Sequence, residues 1–313
     1  MNYPQAYKYF AMLAILIASK VCSAQPQVAI TIDDMPKPTH FGNKGFQAEL
    51  IDVLDSMQIP IAIFITEGNM QKGDGEEKGL ALLERWISAR YTTVGNHSYS
   101  HYACSDVGTD SFLADVKKGE DVTLSLAKRY NKELKYFRFP FNNLGKDSTH
   151  QAAVAKGLQA MGYIITPFTI DSDDWMYNFV YEYYLNRKQL DSAKIIADKY
   201  IAKTMWAFEH HEQLSMLMYN EPMKHIYLCH DNILNARYLP AIAAMLADRG
   251  YKFISLDDAL TDKRYEQTSQ FHKPGGISWM YRWFSFEQDK RYEQLVPEPN
   301  DGVWEIFKRT YKQ

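Results

Sequence analysis

The chain is poor in cysteine. Of its three cysteines, Cys22 falls in an N-terminal leader, which leaves Cys104 and Cys229 and rules out a disulfide framework as what holds the fold together. Both read as buried thiols, and alternation along a strand points Cys229 away from the side that His230 faces. Long apolar runs are also missing. The stretch from Phe10 to Ala18 is well short of the roughly 20 residues a spanning helix needs, and no other segment approaches that length. No long basic block occurs and the formal net charge is −3, which argues against nucleic acid as the main partner and fits a neutral substrate. There is no internal repeat, no low-complexity segment and no HExxH motif. What remains is globular material, 46% hydrophobic and 14% aromatic with 22 tyrosines. Its 313 residues are long for one average domain but normal for a single α/β barrel with an elaboration.

Residues 1–24 combine Lys8, the apolar stretch and the small residues of Cys22-Ser23-Ala24, the pattern of a secretory signal peptide. That implies a secreted or periplasmic protein with no stable membrane span after cleavage. Lys20, close behind the apolar core, leaves an uncleaved N-terminal anchor as the alternative. Val21 before Cys22 speaks against a lipid-modified cysteine.

Apolar segments of strand length alternate with helical patterns through most of the chain. Strands are expected at 28–33, 59–66, 91–96, 135–139, 162–171, 224–230 and 251–256. Helices are expected at 45–57, 79–89, 110–130 (one long helix opened by Asp110), 148–161 and 239–250. This order implies a parallel sheet, and seven or so repeats imply a barrel or a nearly closed one. The long helical, aromatic-rich tract over 176–223 reads as an insertion that roofs the cleft. Past Leu260 the order weakens into irregular chain wrapping the barrel, with a short helix at 303–311. The division is therefore a leader (1–24), a barrel (25–260, insertion about 176–223) and a C-terminal extension packed on it (261–313).

Five polar clusters each follow a short apolar run: Asp33-Asp34, His97 with His101, Arg138, Asp171 to Asp174, and His230. Parallel strands whose C-terminal ends converge on one face are the economical reading, and that pattern suggests a metal enzyme. Two carboxylates at a strand tip suit one metal ligand and one base, provided the strand frays so that both face the site; capping of the next helix is the bland alternative. His97 and His101, spaced i, i+4, are expected on one side of a helical turn, where both can ligate one divalent ion. His230 suits a general acid or a satisfied structural histidine. Arg138 and Asp174 are candidates for orienting a carboxylate and an imidazole, and singly each is also an ordinary salt-bridge residue. The EHHE run from Glu209 to Glu212 reads as a solvated helix face.

In order and spacing, ITIDDMP, NHSYSH, FRFPF, DSDDW and LCH resemble the NodB-homology polysaccharide deacetylases, the carbohydrate esterases of family four, over roughly residues 27–258. The resemblance implies a distorted (β/α) barrel of about seven parallel strands. It also implies hydrolysis of N-acetyl or O-acetyl groups on an acetylated glycan, with one divalent metal ion. It assigns the base to Asp33 and the metal ligands to Asp34, His97 and His101. Arg138 would hold the base, the main-chain N–H near Phe141 would bind the oxyanion and His230 would be the general acid. Asp174 would orient His230, with Trp175 and Leu228 shaping the pocket. An Asp-His-His set suits zinc, and also cobalt, nickel or other first-row ions. Met35-Pro36 stands where the family has Gly-Pro, and Phe141 where it has Tyr, which bears on pocket shape. The long insertion and the GGISW segment are similar to a bacterial subgroup whose substrate the resemblance does not fix. A glycan de-N-acetylase leads; an O-acetyl esterase on xylan-like glycans shares the same chemistry. A binding protein retaining the barrel is the contrasting class; Trp175, Trp206, Trp279 and Trp283 are available to stack on sugars in either class, though aromatic residues in helical stretches are more often core. The hallmark of a binding protein would be a lost ligand or base, and none is lost here.

Overall fold

The computed structural model describes residues 25–36, 49–72, 75–283, 295 and 297–311. The leader expected at 1–24 and the first residues of the helix expected at 45–57 lie outside them. In order, the elements are β1 (Gln27–Met35), α1 (Glu49–Ser56), β2 (Ile61–Ile65), α2 (Glu76–Ser88), β3 (Thr92–Asn96), α3 (Thr109–Lys118), α4 (Asp121–Arg129), β4 (Leu134–Phe137), α5 (Ser148–Ala160), β5 (Ile164–Ile165), β6 (Ile170–Asp171), α6 (Asp174–Asn186), α7 (Leu190–Tyr219), β7 (Lys224–His230), α8 (Ile233–Asp248), β8 (Lys252–Phe253), α9 (Leu256–Ala259), α10 (Trp279–Arg282) and α11 (Val303–Thr310).

All pairings in the sheet are parallel, in the order β5-β4-β3-β2-β1-β7-β6. The eighth strand, β8, pairs with the start of β1 at Gln27 and Val28, just before β2 begins its own pairing at Ile30. The result is the distorted barrel of about seven parallel strands, with helices outside. Its core follows from strand alternation. Val28, Ile30 and Ile32 of β1, Ile61, Ile63 and Ile65 of β2, and Tyr227 and Cys229 of β7 pack outward with the helices. Ala29, Ala62, Phe64, Tyr136, Ile226 and Leu228 fill the smaller interior. Burying each large aliphatic side chain contributes about 1.5–3 kcal/mol, so the outer layer carries most of the stabilisation.

Several elements differ from expectation. The helix expected over 110–130 breaks at Gly119, whose added Cβ would stand 2.8 Å from the Ser98 carbonyl carbon, so the break lets the loop after β3 lie against it. The stretch 162–171 forms two short strands separated by Thr166-Pro167-Phe168-Thr169. The tract at 176–223 forms two helices, and α7 does not roof the cleft. It lies along α6 and α8 outside the sheet, with Phe208 5.2 Å from the Tyr227 ring. Thr204, Ala207, His211, Leu214 and Ser215 share its buried stripe, so the EHHE run is not a solvated face. His211 is buried, and burial pushes its imidazole down to about 3. Cys104 and Cys229 are free buried thiols, as expected. Among the described residues no helix is long and apolar enough to cross a membrane.

Candidate active site

The alternation that packs β1 outward at Val28, Ile30 and Ile32 turns Ala29, Thr31 and Asp33 inward. At its end the strand bulges rather than frays. Ile32 pairs with Ile63 and Met35 with Ile65, so Asp33 and Asp34 together stand opposite Phe64 alone. Asp34 takes a left-handed backbone (φ 67) and the Met35–Pro36 peptide is cis. Both carboxylates thereby reach one site. Asp33, 2% exposed, is held by Arg138, which is fully buried just past β4. Arg138 Nη1 donates to Asp33 Oδ1 at 2.9 Å and to Thr31 Oγ1 at 2.6 Å, and Nη2 donates to the Pro167 carbonyl at 3.0 Å. Removing one partner of such a buried pair costs about 3–5 kcal/mol.

His97 and His101 do not lie on a helical turn. They flank a loop in which Ser98 (φ 67) and His101 (φ 59) are both left-handed. The loop is fixed by neighbours. The Ser98 N–H donates to Asn96 Oδ1 at 2.7 Å, the Ser100 N–H to Asp115 Oδ2 at 2.9 Å, and the His101 N–H to Ser98 Oγ at 3.1 Å. This brings His97 Nε2 to 3.5 Å and His101 Nε2 to 2.9 Å from Asp34 Oδ1. Ligand atoms of the three residues lie within 4.8 Å of one another. His97 Nδ1 is 2.7 Å from the Arg138 carbonyl, which only accepts, so Nδ1 carries the proton and Nε2 presents a lone pair to the site. Asp34 Oδ1 is buried without a conventional donor. Burial opposes its ionisation, but the two imidazoles outweigh that and hold the carboxyl well below the usual range. An ionised carboxylate facing a ring nitrogen that cannot donate fits a divalent cation.

His230 ends β7 and pairs in register with Asp33 on the adjacent strand. Its Nδ1 is 2.8 Å from Oδ1 of the fully buried Asp174. The other carboxylate oxygen, Oδ2, accepts from the His230 N–H at 3.0 Å, from Asn232 Nδ2 at 2.6 Å and from Asn235 Nδ2 at 2.7 Å. Asn232 also caps α8 by accepting from the Asn235 N–H. Asp174 is thus fixed on four sides and orients His230, which lines the cleft.

The cleft, about 450 Å³, is lined by Asp33, Asp34, His97, His101, Phe141, Asn142, Phe168, Asp171, Asp173, Trp175, Leu228, His230 and Gly276. Of the ten residues singled out by sequence, eight line it, and Arg138 and Asp174 stand directly behind Asp33 and His230. Phe141 (59% exposed, φ 55) and Trp175 (42% exposed) are the cleft's most exposed aromatic lining residues. Asp171 adds a further carboxyl, raised to about 7 by burial and by the charge of Asp173. A larger cleft of about 800 Å³ opens where β1 and β7 begin, lined by Gln27 and Lys224 among others. None of the five clusters reaches it, and in parallel barrels chemistry sits at the carboxyl ends of strands, so the smaller cleft is the candidate site. Sequence reading missed Thr31, Asn96, Asp115, Asn232, Asn235 and Gly276. Only Asn232 carried a local signal, as a helix cap directly after a strand end.

Fold and site together define a parallel-barrel protein with a carboxylate–histidine cluster at its strand ends. Residues 20–161, a little under half of the chain, match the family model described as polysaccharide deacetylase. Among solved structures, it is similar to the Bc1960 peptidoglycan N-acetylglucosamine deacetylase, with 19% identity, TM-score 0.51, and coverage of 75% of this chain and 88% of that one. It is also similar to BA3943, a CE4 family pseudoenzyme from Bacillus anthracis, with 17% identity, TM-score 0.50, and coverage of 76% of this chain and 66% of that one. A mutant of BA3943 with restored enzymatic activity matches at 18% identity and TM-score 0.50, over 76% of this chain and 68% of that one. At these identities the likeness is one of fold. No curated protein sequence matches the chain.

Proposed function

We propose that the protein is a metal-dependent hydrolase that removes N-acetyl groups from an acetylated glycan. The observation that carries this reading is the completeness of the residue set around one cleft. The fold alone cannot carry it, because a pseudoenzyme shares that fold. Asp34, His97 and His101 would hold the divalent ion, zinc or another first-row metal. Bound there, it would polarise the acetyl carbonyl and lower the pKa of a water molecule. Asp33 takes that water's proton; Arg138 occupies its Oδ1, so Oδ2, 3.9 Å from His97 Nε2, is the oxygen turned toward the ligand set. The main-chain N–H at Phe141 donates to the oxyanion. His230, with Nδ1 engaged by Asp174, delivers a proton from Nε2 to the departing amine. Trp175, Phe141 and Leu228 shape the space for the sugar.

An O-acetyl esterase uses the same residues. Esters leave more easily than amides, so the fully braced His230–Asp174 pair favours the amide. The leader-like sequence of residues 1–24 supports export to the periplasm or medium, and the chain order supports a barrel over 25–260 with residues 261–313 packed on it. Matched N-acetylated and O-acetylated oligosaccharides, assayed for acetate release, test the assignment. Wild type is expected to act on the N-acetylated set, with kcat falling about 10²–10⁴-fold in Asp33→Asn. Activity confined to esters would overturn the amide assignment, and unaltered turnover in Asp33→Asn would overturn the mechanism.

A further inference from the structure

The C-terminal extension enters the site. Gly276 lines the cleft, and a Cβ added there would stand 2.2 Å from the Phe141 carbonyl oxygen and 3.2 Å from its carbon. Only glycine lets the extension's backbone come that close to this turn. The turn itself is strained. Phe141 (φ 55) and Asn142 (φ 48) are consecutive non-glycine residues in the left-handed region, each costing about 1–3 kcal/mol unless the surroundings impose it.

Arg282 supplies part of that surrounding. It is fully buried in α10, behind the turn. Its Nη2 donates to the Asn142 carbonyl at 2.8 Å and to the Gly275 carbonyl at 2.9 Å, and its Nε donates to the Ile277 carbonyl at 3.3 Å. The guanidinium also lies 4.9 Å from the Phe271 ring. Burial lowers its pKa to about 10, so it remains a cation at neutral pH. Among the described residues no carboxylate pairs with it. Burying a charge carries a desolvation cost that a methionine filling the same space would avoid. What the guanidinium does that an apolar side chain cannot is join two separate backbone segments. The same stretch is also tied to the segment between β5 and β6: Ser278 Oγ donates to the Thr169 carbonyl at 2.7 Å, and the Trp279 N–H to the Phe168 carbonyl at 2.9 Å. Phe168 also lines the cleft.

We infer that Arg282, acting with Gly276, is a positioning residue that locks the Phe141–Asn142 turn so that its main-chain donor is preset for the oxyanion. The catalytic part of this inference rests on the deacetylase reading above; the structural part does not. Two readouts therefore go together on wild type, Arg282→Met, Arg282→Lys and Gly276→Ala. The first is amide hydrogen exchange. In Arg282→Met, exchange over residues 139–143 is expected to speed up by about tenfold or more, the factor carried by a lost charged hydrogen bond, with β1 and β7 unchanged. The second is kinetic. A misplaced oxyanion donor should lower kcat by about 10²-fold with KM changed less than about threefold, and Arg282→Lys should recover part of it. Gly276→Ala keeps the arginine but displaces the Phe141 carbonyl, so it should show the same pair of effects and decides the matter if Arg282→Met does not fold. If wild type releases no acetate from any acetylated glycan, the deacetylase reading fails and exchange alone decides the positioning role. Unchanged exchange over 139–143 in folded Arg282→Met or Gly276→Ala overturns the inference, as does a loss expressed only in KM.

Discussion

Asp171 sits in the cleft with its carboxyl raised to about 7 from an ordinary 3.8, first by burial and then by the neighbouring charge of Asp173. A raised acid stabilises the fold relative to the unfolded chain only while both are protonated. Between pH about 4 and about 7 the unfolded chain ionises at this position and the folded one does not, so stability is lost across that window and levels off above it. Asparagine cannot ionise, and it keeps the Oδ1 that accepts from the Asp173 N–H at 2.9 Å. In metal-free protein, Asp171→Asn should therefore gain thermal stability over wild type at pH 8 and little at pH 4.5. A difference that does not change with pH would show that the carboxyl is not raised. At this scale the sequence was informative where chemistry depends on strand alternation. Asp33, Leu228 and His230 face inward because their neighbours Ile32, Tyr227 and Cys229 pack outward against the helices. It was silent on partners brought from afar, such as Thr31 and Pro167 around Arg138, because no local pattern encodes which carbonyl a buried guanidinium will meet.

Elements carry functions that single residues hide. Asn232 caps α8 and at the same time donates to Asp174 at 2.6 Å, so the helix start and the His230 brace are one construction. Asn232→Ala should lose about 1 kcal/mol for the cap and roughly 1.5–3 kcal/mol for the bond to a buried carboxylate. Asn232→Asp keeps the cap but sets a like charge against Asp174. Denaturant unfolding of the two variants separates the terms, and equal loss in both would assign the whole effect to the carboxylate. Most strands and the longer helices were legible from period two and period 3.6; the four-residue helices α9 and α10 were not. The misses share one cause, long-range contact overriding local pattern. Gly119 breaks an otherwise continuous helical pattern because the Ser98 backbone lies against it, and that same contact bends the His97–His101 loop out of the helical geometry its spacing suggested. The EHHE run looked solvated by composition, but its stripe on α7 faces β7, where His225 Nε2 meets Glu212 Oε1 at 3.6 Å.

For the whole molecule, the barrel brings residues from β1, the loop after β3, the end of β4, α6 and β7 to one rim, and a cation held by Asp34, His97 and His101 would tie β1 to the loop after β3. A ligand that binds only the folded state stabilises it by about 2.7 kcal/mol at 100 times its Kd. Metal-free protein should therefore melt at a lower temperature than zinc-loaded protein. Asp34→Ala should abolish that difference, whereas a zinc effect that survives in Asp34→Ala would place the ion elsewhere. The most direct test of the central reading is acetate release from N-acetylglucosamine oligomers by purified protein, before chelation, after it, and after one equivalent of zinc or cobalt is returned. Release that is lost on chelation and restored by metal is the expected result. Unaffected release after complete metal removal, or no release with metal stoichiometrically bound, would contradict it.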